Sequence, residues 1–159
     1  MSKRRDVIKM TDAEVDAFLH ETHNMAAASY GPNGRIHVVA MWYGFVGDDL
    51  AMWSFRKAQK VLNVTRDPRC TWLVEDGDSD YSQLRGVEVS GRAEIIDDPA
   101  YVKEIGWSLQ ERYVGITRDS EAGAGMDAFL DDQATKRVAI KMHIDHLASW
   151  DHRKLGGTY

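Results

Sequence analysis

Apolar residues follow two different periods along the chain, and each period predicts a different kind of element. After Thr11, which begins a helix-capping box, apolar positions recur at helical intervals. Residues 36–45 and 50–55 are almost continuously apolar, which is typical of strands covered on both faces. Residues 87–95 and 138–144 alternate between apolar and polar side chains, which predicts strands with one exposed face.

Turn and helix-end signals place the remaining elements. Asn33 and Gly34 stand between two apolar runs and predict a hairpin, because that turn needs positive φ angles. Residues 57–66 predict a short helix that ends ahead of Pro68, since proline disfavours a helical residue before it. Asp98 followed by proline predicts the start of a second helix. A third buried strand and a further short helix are predicted at 70–74 and 126–130.

The order of these elements predicts a mainly β fold with peripheral helices. The early connections have hairpin length, so neighbouring strands should pair antiparallel, and no G-x-G-x-x-G motif of a doubly wound fold is present. Strands with so little helix suggest a small closed barrel, with residues 1–159 forming one domain. Residues 36–45 and 50–55 have more apolar surface than the helices can cover, so we expect a homodimer that buries it.

Composition excludes several classes of protein. The 20 Lys and Arg against 25 Asp and Glu give a net charge of −5, which argues against a nucleic-acid binder. No apolar run approaches the ~18 residues of a membrane span, and we expect a cytoplasmic protein that is neither exported nor embedded. The single cysteine, Cys70, excludes an internal disulfide and a multi-cysteine metal site. His143 and His146 are predicted to lie on opposite faces of a strand, so we expect no metal site.

The two ends of the chain differ in character. Residues 1–10 contain three consecutive basic residues and predict a flexible arm. Residues 149–159 are unusually rich in aromatic and basic side chains for a terminus, Trp150 among them. This tail is predicted to dock across a ligand or a partner subunit, or else to plug the end of the barrel.

Positive charge is concentrated between residues 56 and 69, within a chain that is acidic as a whole. The basic residues there are Arg56, Lys57, Lys60, Arg66 and Arg69, against Asp67 as the only acidic one. Ser54 and Arg56 end a predicted strand, and Lys57 and Lys60 open the helix that follows. A helix start offers free N–H groups, so this segment suits a phosphate or polyanion. The same residues would also fit an ordinary solvated helix.

Aromatic residues lie on the two strands that lead to this basic segment: Trp42, Tyr43, Trp53 and Phe55. They could form a slot for a flat ring, or they could be ordinary core.

Three segments in chain order resemble one known superfamily. Residues 33–43, 54–69 and 84–93 are similar to the corresponding strand and phosphate-binding segments of the pyridoxamine-phosphate-oxidase-like, FMN-binding split-barrel proteins. Within this superfamily the chain is most similar to the B group of flavin/deazaflavin oxidoreductases. The resemblance implies an antiparallel split β-barrel homodimer with a cofactor in each of two interface grooves.

The resemblance also implies roles for individual residues. By position, Ser54, Arg56 and Lys60 would hold the cofactor phosphate. Met41, Trp42 and Tyr43 would line the ring, and Trp150 would come from the other subunit. Ala40 stands where the family usually has a proline before the aromatic pair. No catalytic acid–base set is implied, because in this family the cofactor carries the redox chemistry and the protein positions it.

Members of this family use either the deazaflavin F420 or FMN. The tail of F420 adds several carboxylates, which the additional cations Lys57, Arg66 and Arg69 would suit better than they suit the single phosphate of FMN. The sequence therefore predicts an F420H2-dependent reductase that passes a hydride to an electron-poor small molecule, such as an enone, quinone or tetrapyrrole-like compound. The alternatives are an FMN-dependent oxidoreductase of the same fold and a cofactor carrier without turnover.

Overall fold

The computed structural model describes residues 3–157, in which seven strands form one antiparallel sheet. The strands are β1 (Met25–Tyr30), β2 (Ile36–Met41), β3 (Gly44–Val46), β4 (Asp49–Phe55), β5 (Arg69–Asp76), β6 (Arg85–Ile96) and β7 (Arg137–Asp151). Their order in the sheet is β2-β1-β5-β6-β7-β4-β3. The two edge strands, β2 and β3, are consecutive in the chain. Only two residues, 42 and 43, connect these edge strands, so the sheet must curl until its edges are close together. This confirms the predicted antiparallel split barrel.

The described residues also form five α-helices around this sheet: α1 (Arg4–Ile8), α2 (Asp12–Glu21), α3 (Gln59–Arg66), α4 (Pro99–Leu109) and α5 (Gly123–Lys136). A π-helix, Gln110–Val114, continues α4, and 3-10 turns lie at Tyr81–Gln83 and His152–Leu155. The capping box at Thr11 is confirmed, since its hydroxyl accepts from the Glu14 N–H and the Glu14 carboxylate accepts from the Thr11 N–H. Helix α5 is far longer than the predicted 126–130.

The predicted strand over 36–45 is two strands at opposite edges of the sheet. Strand β2 pairs with β1, whereas β3 pairs with β4. Trp42 and Tyr43 form the crossing segment between β2 and β3, and apolar continuity gave no sign of this break. Strand 50–55 is covered on both faces as predicted up to Ser54, whereas Phe55 is 52% exposed. The outer cover is supplied by α4 and α5. Residues such as Ala51, Ile105 and Ala139 form that outer cluster.

Strand β2 is the part of the predicted apolar surface that stays open. Ile36 and Val38 are 68% and 60% exposed, and both lie on the outer face of the sheet. Of the apolar surface on residues 36–45 and 50–55, only the part on β2 therefore still supports the expectation of a homodimer.

A β-bulge in β7 corrects the placement of two histidines. Ser90 of β6 pairs with His146 and Gly91 pairs with Ile144, so one residue of β7 has no partner. His143 pairs with Arg92. Because Ser90 and Arg92 are two apart, His143 and His146 lie on the same face, and the prediction of opposite faces is wrong. Within residues 3–157, no three His, Cys, Asp or Glu side chains are grouped as metal ligands.

Residues near the two ends of the described chain contact each other. The predicted flexible arm is, over Arg4–Ile8, the short helix α1. The Lys154 Nζ donates to the Lys9 carbonyl at 2.8 Å and to the Glu14 carboxylate at 2.7 Å, which joins the C-terminal tail to this region. Residues 1–2 of the predicted arm and 158–159 of the predicted tail lie outside the described residues. Across residues 3–157, no helix combines the length and apolar character needed to cross a membrane.

Candidate functional site

The end of β4 and the first turn of α3 bring together two of the predicted site residues. Ser54 is buried, and the Lys60 Nζ donates to its hydroxyl at 3.3 Å. Lys60 is half-buried, and this burial lowers the pKa of its ammonium group. The positive charge of Arg137 lowers the pKa of Lys60 further. The hydroxyl and the ammonium group thus share one partly desolvated corner.

Arg137 is a candidate site residue that the sequence did not reveal. It is the first residue of β7, and the pairing of β7 with β4 sets it opposite Phe55. Its guanidinium lies 3.9 Å from the ring centre of Phe55 and 4.5 Å from that of Trp53, and its Nε donates to Gln133 at 3.0 Å. Burial lowers the pKa of Arg137. No local signal marks this arginine, because it lies far along the chain from the basic segment.

Lys60 and Arg137 approach the end of β4 from its two sides. Ser54 pairs with the buried Val138, whereas Phe55 pairs with Arg137, so the two cations flank the strand end. Among the described residues, no carboxylate forms an ion pair with either of them. Two neighbouring, half-buried positive charges without a counter-ion are unfavourable. An anion bound at this corner would relieve that cost. We call Ser54, Lys60 and Arg137 the anion corner.

The other basic residues of the segment are placed differently. Arg56 forms an ion pair with Asp97, which raises the pKa of its guanidinium, and its Nε donates to the Thr135 carbonyl at 3.4 Å. Lys57 is exposed and precedes α3, so it does not share a helical face with Lys60 as predicted.

Arg66 and Arg69 lie at the far end of α3. Arg69 donates two hydrogen bonds to the Asp67 carboxylate, from Nε to Oδ1 at 3.0 Å and from Nη2 to Oδ2 at 2.6 Å. Arg66 donates to the Tyr30 carbonyl and, at 3.3 Å, to the Asn63 amide oxygen. The basic segment is therefore not one continuous stripe.

The predicted ring-lining residues are divided between core and surface. Tyr43 is fully buried, and its hydroxyl donates to the Leu19 carbonyl at 2.7 Å. Burial raises the pKa of Tyr43. Met41 packs against the core. Trp42 is 49% exposed and stacks on Tyr113 with ring centres 4.3 Å apart. Of these three side chains, Trp42 is the most exposed and could contact a ligand.

Trp150 does not join the anion corner within one chain. Val138, opposite Ser54, lies near the start of β7, and Trp150 lies near its end. Trp150 is twelve positions further along the strand than Val138, roughly 40 Å along the backbone at about 3.3 Å per residue. Trp150 packs closely against Gly86, where a Cβ atom would collide with the indole ring. Within one chain, Trp150 therefore lies at the opposite end of β7 from Arg137 and Val138.

Cys70 is not a reactive thiol. It is buried, and burial raises its pKa to about 12, so the nucleophilic thiolate is not populated near neutrality.

The family model described as pyridoxamine 5'-phosphate oxidase matches residues 11–151. The chain belongs to the pyridoxamine 5'-phosphate oxidase family. No curated protein sequence matches it.

Solved structures agree with this family. A conserved hypothetical protein of Mycobacterium tuberculosis, Rv2991, is 37% identical, with a TM-score of 0.89 over 99% of this chain and 95% of that one. A protein described as an F420 reductase is 27% identical, with a TM-score of 0.59 over 84% of this chain and 94% of that one. A Listeria innocua protein described as a putative pyridoxamine 5'-phosphate oxidase is 16% identical, with a TM-score of 0.63 over 86% and 95% of the two chains, and shows the shared fold.

Proposed function

We propose that this protein is an F420H2-dependent reductase that transfers a hydride to an electron-poor small molecule. The observation that carries the proposal is the anion corner, where Lys60 and Arg137 lack a carboxylate partner beside the buried hydroxyl of Ser54. The likeness to the F420 reductase, at 27% identity, supports the choice of cofactor. When bound, the deazaflavin would supply the hydride.

The anion corner fits a phosphate group. Lys60 would act as a mobile point charge, and the guanidinium of Arg137 would offer several N–H donors. The rings of Trp53 and Phe55 flank that guanidinium, so less of its side-chain freedom remains to be lost on binding. Ser54 would add a hydroxyl donor. These groups bind and orient the cofactor, and none of them needs to move a proton.

Arg56 and Lys57 would complete the cofactor contacts. Arg56 is engaged by Asp97, which would compete with a phosphate for its guanidinium, and Lys57 is exposed just before α3. Exposed Lys57 suits a carboxylate of the F420 tail. Arg69 is neutralised by Asp67, so it contributes less to this tail than its sequence position suggests.

Titration with both cofactors at equal ionic strength tests the choice between F420 and FMN. We expect tighter binding of F420, measured by the change in its fluorescence. Equal or tighter binding of FMN would contradict the choice of cofactor and would favour an FMN-dependent oxidoreductase of the same fold.

Turnover is tested separately. Reduced F420 bound to the protein is offered a panel of enones, quinones and tetrapyrroles, and its reoxidation is followed by absorbance. We expect at least one acceptor to reoxidise it faster with protein than without. A bound cofactor that no acceptor oxidises would instead indicate a carrier.

We also propose that a second copy of the chain covers β2 and supplies Trp150. The support is the exposed outer face of β1 and β2, where Tyr30, Ile36 and Val38 are 40%, 68% and 60% exposed. Sedimentation at micromolar concentration should give one species near twice 18.0 kDa. A folded monomer would contradict both the dimer and a groove shared between subunits.

A further inference from the structure

The crossing segment, Trp42 and Tyr43, takes part in neither strand ladder, because β2 ends at Met41 and β3 begins at Gly44. The polar backbone groups of Tyr43 are nevertheless both satisfied. Its N–H donates to the Tyr113 hydroxyl at 3.1 Å, and its carbonyl accepts from the Arg112 Nε at 3.2 Å. The turn that contains Arg112 and Tyr113 therefore holds the segment that carries Trp42 in place.

That turn is the π-helix Gln110–Val114, which ends at Gly115 with a positive φ of 77°. A π-turn contains one more residue than an α-turn, and one added residue rotates the following side chains by roughly 100° about the helix axis. Tyr113 lies inside this irregular turn and contacts Trp42 from it.

Tyr113 is fixed at several points. Its ring stacks on Trp42 with a centre-to-centre distance of 4.3 Å and an angle of 11° between the planes. Its hydroxyl also donates to the His23 carbonyl at 3.0 Å. The ring of Tyr113 therefore has a defined position, and it covers one face of the indole. The remainder of Trp42, which is 49% exposed, faces outward.

We propose that Tyr113 is a positioning residue that holds Trp42 ready to stack on the flat ring of the bound deazaflavin. This inference rests on the proposed function. With the indole already held, cofactor binding does not have to order the Trp42 side chain. Tyr113 itself touches Trp42 and the backbone, and its effect on the ligand passes through Trp42.

A double-mutant cycle tests this relation. Tyr113→Leu should weaken F420 binding about 3- to 10-fold, the range expected for losing an aromatic pair. Trp42→Leu should weaken it at least as much, and the double variant should bind no more weakly than Trp42→Leu. Tyr113→Phe keeps the stacked ring and should restore most of the affinity. Tyr101→Phe is the matched control, because it removes a hydroxyl bonded to Asp49 away from Trp42.

A second measurement does not need the cofactor. The contribution of Trp42 to the near-ultraviolet circular dichroism is the difference between the wild type and Trp42→Phe. We expect Tyr113→Leu to abolish this contribution and Tyr101→Phe to leave it unchanged. If Tyr113→Leu does not fold, Tyr113→Met replaces it, since a flexible thioether fills the same space without a ring.

Two results would overturn the proposal. One is a folded Tyr113→Leu that keeps both the wild-type affinity and the Trp42 signal. The other is a double variant whose losses simply add, which would mean that Tyr113 does not act through Trp42. If the wild type binds neither F420 nor FMN, the proposed function fails, and the circular dichroism still decides whether Tyr113 positions Trp42.

Discussion

The two ends of α3 carry positive charge in very different surroundings. At its start, Lys60 is half-buried beside Ser54, with Arg137 close enough to lower its pKa. At its end, Arg69 pairs with Asp67, and Arg66 donates to a main-chain carbonyl. In the sequence these cations form a single basic segment. In the part of the chain that the structure describes, Lys60 and Arg137 lack a carboxylate partner, whereas Arg66 and Arg69 each have hydrogen-bond acceptors close by.

The number of cations in a sequence segment therefore does not locate an anion site. In the Arg69–Asp67 pair the arginine side chain is exposed, so solvent and the carboxylate partner both screen its charge, and the pair attracts a further anion only weakly. Half-buried cations without a partner lose hydration and repel each other. A bound anion gains most where that cost is greatest, which is the start of α3.

The largest effect should come from Lys60→Ala. We expect F420 affinity to fall roughly 10- to 100-fold, because a charge-assisted hydrogen bond contributes about 1.5–3 kcal/mol and each 1.4 kcal/mol is tenfold. The matched control is Arg69→Ala, which should change affinity less than about twofold because Asp67 already neutralises that charge. Fluorescence titration, with a thermal melt of each variant, provides the comparison. Equal losses at the two ends of α3 would contradict the distinction drawn between them.

Arg137→Ala should be next in size, with an affinity for F420 about tenfold lower. Arg137→Lys keeps the charge but loses the planar guanidinium that lies over Phe55 and Trp53, so it should recover only part of the loss. The same titration measures both variants. Wild-type affinity in a folded Arg137→Ala would remove this residue from the anion corner.

A smaller effect, of opposite sign, is expected for Asp97→Asn. This change frees Arg56 from a partly exposed ion pair, so F420 should bind about 1.5- to 5-fold more tightly, matching the ~0.2–1 kcal/mol of such pairs. The gain should disappear when Arg56→Ala is added. A gain that persists in the double variant would show that Arg56 is not a phosphate ligand.

The smallest effect concerns the satisfied end of α3 and its dependence on pH. Hydrogen bonds from the Arg69 side chain, and then from its backbone N–H, lower the pKa of Asp67 to about 2. Because the folded pKa lies below the unfolded one, the pair stabilises the protein above the unfolded pKa and this contribution is lost as pH falls from about 4 to about 2. The difference in Tm between wild type and Asp67→Asn should therefore shrink over that range. A difference that is constant with pH would contradict the ion pair.

Much of the fold could be read from local patterns. The capping box at Thr11 and the helix beginning after Asp98 agree with the structure. Strands β1 and β2 form the predicted hairpin, but of the two turn residues only Gly34 has a positive φ, so the connection is the wider loop 31–35 and not a two-residue turn. The resemblance to the split-barrel superfamily is confirmed by the family match over residues 11–151. Ser54 and Lys60 meet as the basic segment suggested, although their role in cofactor binding stays a prediction.

Other parts of the site could not be read in this way. Tyr43 lies in the core. Trp42 stacks on Tyr113, which belongs to a π-helix that the hydrophobic pattern did not predict. Arg137 reaches the anion corner only through the pairing of β7 with β4. His143 and His146 share a face because of a bulge.

Local sequence was sufficient for most of the helices and strands, for the helix caps at Thr11 and Asp98, and for the family, because those depend on residues a few positions apart and on motifs in a fixed order. The tertiary structure alone decided which distant residues meet and which charges are left without partners. Strand pairing across more than eighty residues, a one-residue bulge and a widened helical turn are selected by packing and by hydrogen bonding between distant segments. For the same reason the sequence showed where positive charge lies, and only the fold showed where that charge lacks a counter-ion.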